Sequence, residues 1–318
     1  MKRDNQKNNY DFNVAIVAII MTVLINFSSP QILASDGVQG SSNNVNAESD
    51  KRVKSVVRDA IELSYGSNAL QKIDYWRPAT NGAPLIVFVH GGAWMYGDKR
   101  NATGENKIRH YLQQGYAFAS VNYRLLPDCT VEQQAQDVAA ALAYLVSHSE
   151  GLGFDPKRVV MMGHSAGAHL SALIGTDMRY LKEVGLGPES LRGVVLLDGA
   201  AYDIPRQIKE GGLLMRGMYV SVFGFDRERQ ITLSPTHNAA APNIPAFIIL
   251  HVQRPDGIMQ SQALAKALKD AGTSVDVHSF EGRGLTGHVE INNRLGDPSY
   301  PATPVVDEWL NRVFSTNK

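Results

Sequence analysis

The chain has 318 residues, 44% hydrophobic and 19% charged, which suits one large α/β domain or two small ones. Its 31 Lys and Arg residues balance 31 Asp and Glu, so charge gives no argument for a nucleic-acid partner or an anionic surface. Cys129 is the only cysteine, which excludes an internal disulfide and reads as a small buried apolar side chain. No internal repeat and no metal-type Cys/His cluster stands out, and no cofactor is expected.

In chain order, the first feature is a targeting pattern. Lys2, Arg3 and Lys7 precede an apolar run from Val14 to Phe27 that only Thr22 and Asn26 interrupt. Ser28, Ser29 and Pro30 break any helix, and Ala34 offers a small residue for cleavage. This is the order of a secretory signal peptide. The run of about 14 residues is shorter than the ~20 that a membrane span needs. Residues 1–34 are therefore expected to export the chain to the periplasm or beyond, with no stable span in the mature protein. An uncleaved N-terminal membrane anchor is the alternative, since Asp4 and Asp11 dilute the basic region and Ile32 is bulky for its place. Residues 35–50, rich in Ser, Asn, Gly and Asp, read as a flexible linker. The catalytic domain is expected over 51–318.

Val53, Val56, Val57, Ala60, Ile61 and Ser64 follow a helical spacing, predicting an amphipathic helix that Gly66 ends. Leu70 to Trp76 alternates as an edge strand does, and Pro78 closes it. Pro84 to His90 is a continuous apolar run rich in β-branched residues, the pattern of a strand buried on both faces of a parallel sheet. A helix follows from Glu105 to Gln114, a strand from Ala117 to Tyr123, and a long helix from Val131 to Ser147. Arg158 to Met162 is strand-like, and the apolar run after Ser165 is helical. Gly193 to Asp198 is another buried strand. Residues of about 202–243 mix Gly, Arg, aromatics and Pro without a clean period, which predicts an irregular insertion serving as a small lid or substrate wall. The strand Pro245 to Val252, a helix from Met259 to Ala271, a strand from Val275 to Phe280 and a helix from Thr303 to Phe314 complete the chain. Strands alternating with helices predict one doubly wound, mostly parallel sheet with helices on both faces.

The chemistry centres on Gly163-His164-Ser165-Ala166-Gly167, set between a strand and a helix. That context makes Gly-x-Ser-x-Gly a nucleophile elbow, a sharp turn that lifts the serine hydroxyl clear of the backbone. A serine hydroxyl needs a base, and the base needs an acid to hold its tautomer. On this kind of sheet the chain order is Ser, acid, His. His288, in the Gly-rich segment from Gly282 to Glu290, is placed after the last strand as a loop base. Asp256, just beyond the strand ending at Val252, is the expected acid, and Asp198, at the preceding strand end, is its rival. A Pro-Asp-Gly turn is the competing reading of Asp256. Backbone N–H groups of Gly91, Gly92 and Ala166 are expected to form the oxyanion hole. His90 is expected to pin that loop by a hydrogen bond. Trp94 and His164 are candidate pocket residues, with a core role for Trp94 equally open.

His90-Gly-Gly-Ala-Trp94, Gly97-Asp-Lys99 and Gly163-His-Ser-Ala-Gly-Ala-His169 together resemble the hormone-sensitive-lipase-like branch of the α/β-hydrolases. More closely, they resemble the bacterial carboxylesterases grouped with kynurenine formamidase. The resemblance runs over about residues 52–316. It implies an α/β-hydrolase fold and cleavage of an ester or activated amide through an acyl-enzyme. Ala93 stands where the larger branch has a third glycine, and Val252 to Gly257 departs from the family's Gly-x-x-Asp pattern. The expected activity is a serine carboxylesterase for small to medium acyl esters. An arylformamidase acting on N-formylkynurenine-type amides is the enzymatic alternative, and a hydrolase-fold binding protein without catalysis is the alternative of another class.

Overall fold

The computed structural model describes residues 60–315. The expected leader, the linker and the start of the first expected helix lie outside the described residues.

Eight strands form one sheet in the order β1-β2-β4-β3-β5-β6-β7-β8. The chain runs β1 (Ile61–Ser64), β2 (Lys72–Trp76), β3 (Ala83–Val89), α1 (Glu105–Gln113), β4 (Ala117–Val121), α2 (Val131–Ser147), α3 (Ser149–Leu152), β5 (Phe154–His164), α4 (Ala166–Thr176) and α5 (Arg179–Glu183). It continues with β6 (Gly193–Leu197), α6 (Ile204–Glu210), α7 (Leu213–Phe223), α8 (Arg227–Thr232), α9 (Pro235–Asn238), β7 (Ala246–Gln253), α10 (Pro255–Asp270), β8 (Ser274–Arg283), α11 (Gly284–Arg294) and α12 (Ala302–Ser315). From β4 to β8 the pairings are parallel; β1 and β2 join antiparallel.

The apolar runs became the central strands for the expected reason. β4 and β6 are buried at every residue, and β3 and β7 at all but one. Helices cover both faces, as a strand's alternation shows. A Cβ on Gly175 of α4 would meet Phe247 and Val194, whereas one on the adjacent Gly193 would meet Trp309 of α12. Neighbouring strand residues point to opposite faces, so α4 and α12 lie on opposite sides of the sheet.

Four expectations are corrected. Ile61–Ser64 is a strand and not the end of a helix: it satisfies the outer backbone edge of β2, which therefore is not itself an edge. The insertion at 202–243 is four short helices, α6 to α9, and not an irregular loop. The segment around His288 is the helix α11, not a loop. Pro255 occupies the first helical position of α10, so that helix begins four residues earlier than the expected Met259 and takes Asp256 into its first turn.

Candidate active site

Ser165 sits between β5 and α4 with φ 55 and ψ −118, a conformation that costs a non-glycine residue about 1–3 kcal/mol. The surroundings enforce it. A Cβ on Gly163 would lie 2.3 Å from the Gly167 carbonyl oxygen, and one on Gly167 would lie 2.1 Å from that of Val89. Both glycines are thus required for strand, turn and helix to pack this closely. The Ser165 carbonyl accepts the His169 N–H at 3.1 Å, which starts α4 beneath the turn.

The loop after β3 runs beside the serine. A Cβ on Gly91 would come within 3.0 Å of Ser165 Cβ. Gly92, Ala93 and Trp94 have φ of 130, 52 and 62, so three successive residues lie in the left-handed region. Several bonds hold them there. Tyr96 N–H donates to Gly92 O, Gln134 Nε2 to Trp94 O, and Tyr123 Oη to His90 O. His90 Nδ1 donates to Gly91 O at 2.7 Å while its ring stacks on Tyr123, so the expected pinning bond is present. Burial lowers His90 to about 4, which keeps it neutral near pH 7.

Strand register decides which carboxylate faces the histidine. His164 pairs with Leu197, so Ser165 and Asp198 leave adjacent parallel strands side by side. Ser165 N–H donates to Leu197 O at 3.1 Å, and Asp198 N–H to Leu250 O at 2.7 Å. Asp198, fully buried, accepts the His288 Nδ1–H at 2.6 Å. That bond fixes the tautomer and leaves Nε2 as the basic nitrogen. Burial would raise the Asp198 carboxyl, but the His288 hydrogen bond, the charges of His288 and Arg254 and the Val252 N–H hold it at about 2.

Asp256 does not stand behind His288. Its Oδ2 lies 3.4 Å from Arg254 Nη1 and accepts Gln207 Nε2 at 3.4 Å. The physical reason is the early start of α10, which puts this carboxylate in a helix's first turn, where the dipole also favours it.

His164, expected at a pocket wall, is buried under the catalytic candidates. Its Nε2–H donates to the His288 carbonyl at 2.9 Å, and the two ring centroids are 4.5 Å apart. Burial first, and then the neighbouring His288, depress its proton affinity well below the usual range. Ser165, Asp198, His288 and His164 therefore form a closed circuit: strand register, hydrogen bond, ring contact and chain neighbour.

Trp94 is buried against the insertion. Its Nε1–H donates to His169 Nδ1 at 3.3 Å, and its ring meets Phe223 edge-on at 4.9 Å. His169 Nε2–H in turn donates to Leu233 O at 2.9 Å, and burial lowers this imidazole to about 4. One neutral histidine thus ties the glycine loop, the elbow helix and the insertion together. Sequence reasoning leaves His169 without a role, although it closes the motif around Ser165, and passes over Gln134 and Arg254. Gln134 carries no motif of its own, but Arg254 is visible as a charge between an apolar strand and the Pro-Asp that follows.

Among the described residues no group of three or more His, Cys, Asp or Glu is arranged to hold a metal ion, and no helix is long and apolar enough to cross a membrane. Cys129 is buried, with its thiol pushed up to about 11 by burial.

The BD-FAE family model matches residues 73–185, a span that holds the glycine loop and the elbow. Esterase LipC of Mycobacterium tuberculosis is 27% identical over 250 residues, covering 70% of this chain and 62% of its own. Isoprenylcysteine alpha-carbonyl methylesterase ICME of Arabidopsis thaliana is 25% identical over 242 residues, 70% of this chain and 56% of its own. The chain spans about half the length of the plant methylesterases it matches. Kynurenine formamidase of Danio rerio is 25% identical over 306 residues, 89% of this chain and 92% of its own. Among solved structures, esterase B of Lactobacillus rhamnosis superposes with a TM-score of 0.65 at 24% identity, over 85% of this chain and 91% of its own. Butyrate-bound Est2 of Thermogutta terrifontis gives 0.62 at 21% identity, over 82% and 97%.

Proposed function

From the premise that this chain is an α/β-hydrolase, by its sheet and by its likeness to known esterases, we propose that it is a serine carboxylesterase for small to medium acyl esters. The observation that carries the reading is the strained Ser165 set in register beside Asp198, whose carboxylate holds His288 Nδ1.

In this mechanism Ser165 Oγ attacks the ester carbonyl and passes its proton to His288 Nε2. Asp198 orients the ring and stabilises the imidazolium that forms. The N–H groups of Gly91, Gly92 and Ala166 receive the negative charge on the carbonyl oxygen; each such donor is worth about 3 kcal/mol of barrier. His288 then protonates the leaving alcohol. Water, activated by the same ring, hydrolyses the acyl-enzyme. Trp94 and the helices of the insertion shape the pocket side of the site, and the N-terminal leader delivers the enzyme out of the cytoplasm.

Likeness to kynurenine formamidase over most of both chains favours a formamide substrate as the second reading. Turnover of p-nitrophenyl butyrate and of N-formylkynurenine, compared in one preparation, separates the two. Ser165→Ala is expected to lower ester turnover by about four orders of magnitude or more. Unchanged turnover in that variant would remove the serine mechanism, and no turnover of either substrate by the native chain would favour a non-catalytic binding protein.

A further inference from the structure

Behind the triad carboxylate lies a second ion pair that the proposed mechanism does not use. Arg254 follows β7, and its side chain is only 12% exposed. Its Nε lies 3.2 Å from Asp198 Oδ2, the same oxygen that accepts the His288 proton. Its Nη2 donates to Gly199 O at 3.1 Å and to Asp198 O at 3.4 Å, so one guanidinium holds both the carboxylate and the backbone of this residue. Asp198 needs holding, since its φ of 42 is unfavourable for a non-glycine residue. On the far side, Arg254 Nη1 lies 3.4 Å from Asp256 Oδ2. Gln207 Nε2 donates to that same oxygen, while Gln207 Oε1 accepts the Ala201 N–H.

We propose that Arg254 and Asp256 are positioning residues for the triad acid, forming with Asp198 a charged row that sets the pH at which His288 becomes a base. This rests on the serine-esterase reading above.

A buried ion pair is no stability argument in itself, because apolar residues fill such a volume at equal or lower free energy. Its electrostatic consequence is specific, however. A cation beside Asp198 weakens that carboxylate's hold on the imidazolium, and Asp256 returns part of the effect. The row carries the net charge of one carboxylate but spreads it away from His288. The other ionisable groups around it are fewer and quieter. Tyr202 and Tyr219 are buried phenols whose proton is held more tightly than usual, chiefly by burial. His164 is neutral and bonded to the His288 backbone. On α11, Glu290 pairs with Arg294, and Lys107 from α1 is bonded to Asn292. Tyr300 is a further neighbour, held protonated mainly by burial.

The signs follow from charge alone. Removing Arg254's charge strengthens the imidazolium, and removing Asp256's charge weakens it. The test is kcat/KM for p-nitrophenyl butyrate against pH in the full chain, whose acid limb reports His288 in the free enzyme. Arg254→Met is expected to move that limb up by about half to one pH unit, and Asp256→Asn to move it down by about half that. Arg254→Lys, which keeps the charge but not the fork, should leave the limb near its native position while lowering kcat. Acid limbs that stay in place, or that move the same way in both charge-removing variants, would make the pair merely structural and overturn the proposal. If Arg254→Met does not fold, Asp256→Asn, at a side chain 30% exposed, decides the matter by itself. Ser165→Ala is run alongside: turnover that survives it would fail the esterase reading, a result distinct from unmoved limbs.

Discussion

At the scale of single residues, Ser165 and His288 are candidates that the sequence offers directly, whereas the carboxylate that bonds His288 in the structure is Asp198 and not the expected Asp256. Gly163-x-Ser165-x-Gly167 names its own geometry, because only glycine fits on either side of so sharp a turn. His288 is picked out by its order in the chain, and in the structure its Nδ1 bonds the buried carboxylate of Asp198. Asp256 and Asp198 both follow apolar strands, so the strand pattern alone does not separate them. The difference is made by register, which puts Asp198 next to Ser165, and by Pro255, which pulls Asp256 into a helix. Glycine spacing allows a direct prediction. Gly167→Ala would drive a methyl to 2.1 Å from Val89 O and 2.5 Å from His90 O, both backbone atoms with little room to move. A loss of about 2–4 kcal/mol in urea unfolding, with activity falling alongside, is expected. Native stability in that variant would mean that the elbow packs more loosely than described.

Among the elements, the central strands were readable because burial on both faces leaves an uninterrupted apolar signature. The strands β3, β4, β6 and β7 were all located within a few residues of their observed bounds. Elements whose identity depends on a partner were not readable. Ile61–Ser64 carries a helical spacing but extends along β2, because an open backbone edge outweighs a weak periodicity. The helix holding His288 is rich in glycine at its start, with Gly284 and Gly287 where local propensity argues for a loop. Tertiary contact overrides that preference: a Cβ on Gly287 would lie 2.5 Å from the Gly282 carbonyl carbon, so β8 and α11 pack too tightly there for any larger residue. The insertion reads as irregular because its helices are short and are held by tertiary contact, with Tyr219 and Phe223 of α7 packed edge-on against Trp94.

Over the whole molecule, formal charge cancels, so the pH dependence of stability comes from individual buried groups. His90 and His169 are each lowered to about 4, mainly by burial. Between about pH 6.5 and pH 4 the unfolded chain binds protons at these sites that the folded chain refuses. Their stabilisation is complete above that window and is lost as pH falls through it. Asp198, held at about 2, acts lower: its contribution is present above about pH 3.8 and fades below. Urea unfolding is therefore expected to show lower stability at pH 5 than at pH 7, by about 2 kcal/mol per histidine. Equal or greater stability at pH 5 would mean that the buried imidazoles accept protons in place. The central claim is that Ser165 acts through a histidine held by Asp198. It is tested most directly by kcat/KM for p-nitrophenyl butyrate in Asp198→Asn and Asp256→Asn, measured side by side above the acid limb. The expected result is a loss of about 10⁴-fold in Asp198→Asn, from a wrong histidine tautomer, and a change within several-fold in Asp256→Asn. A large loss confined to Asp256→Asn would contradict it.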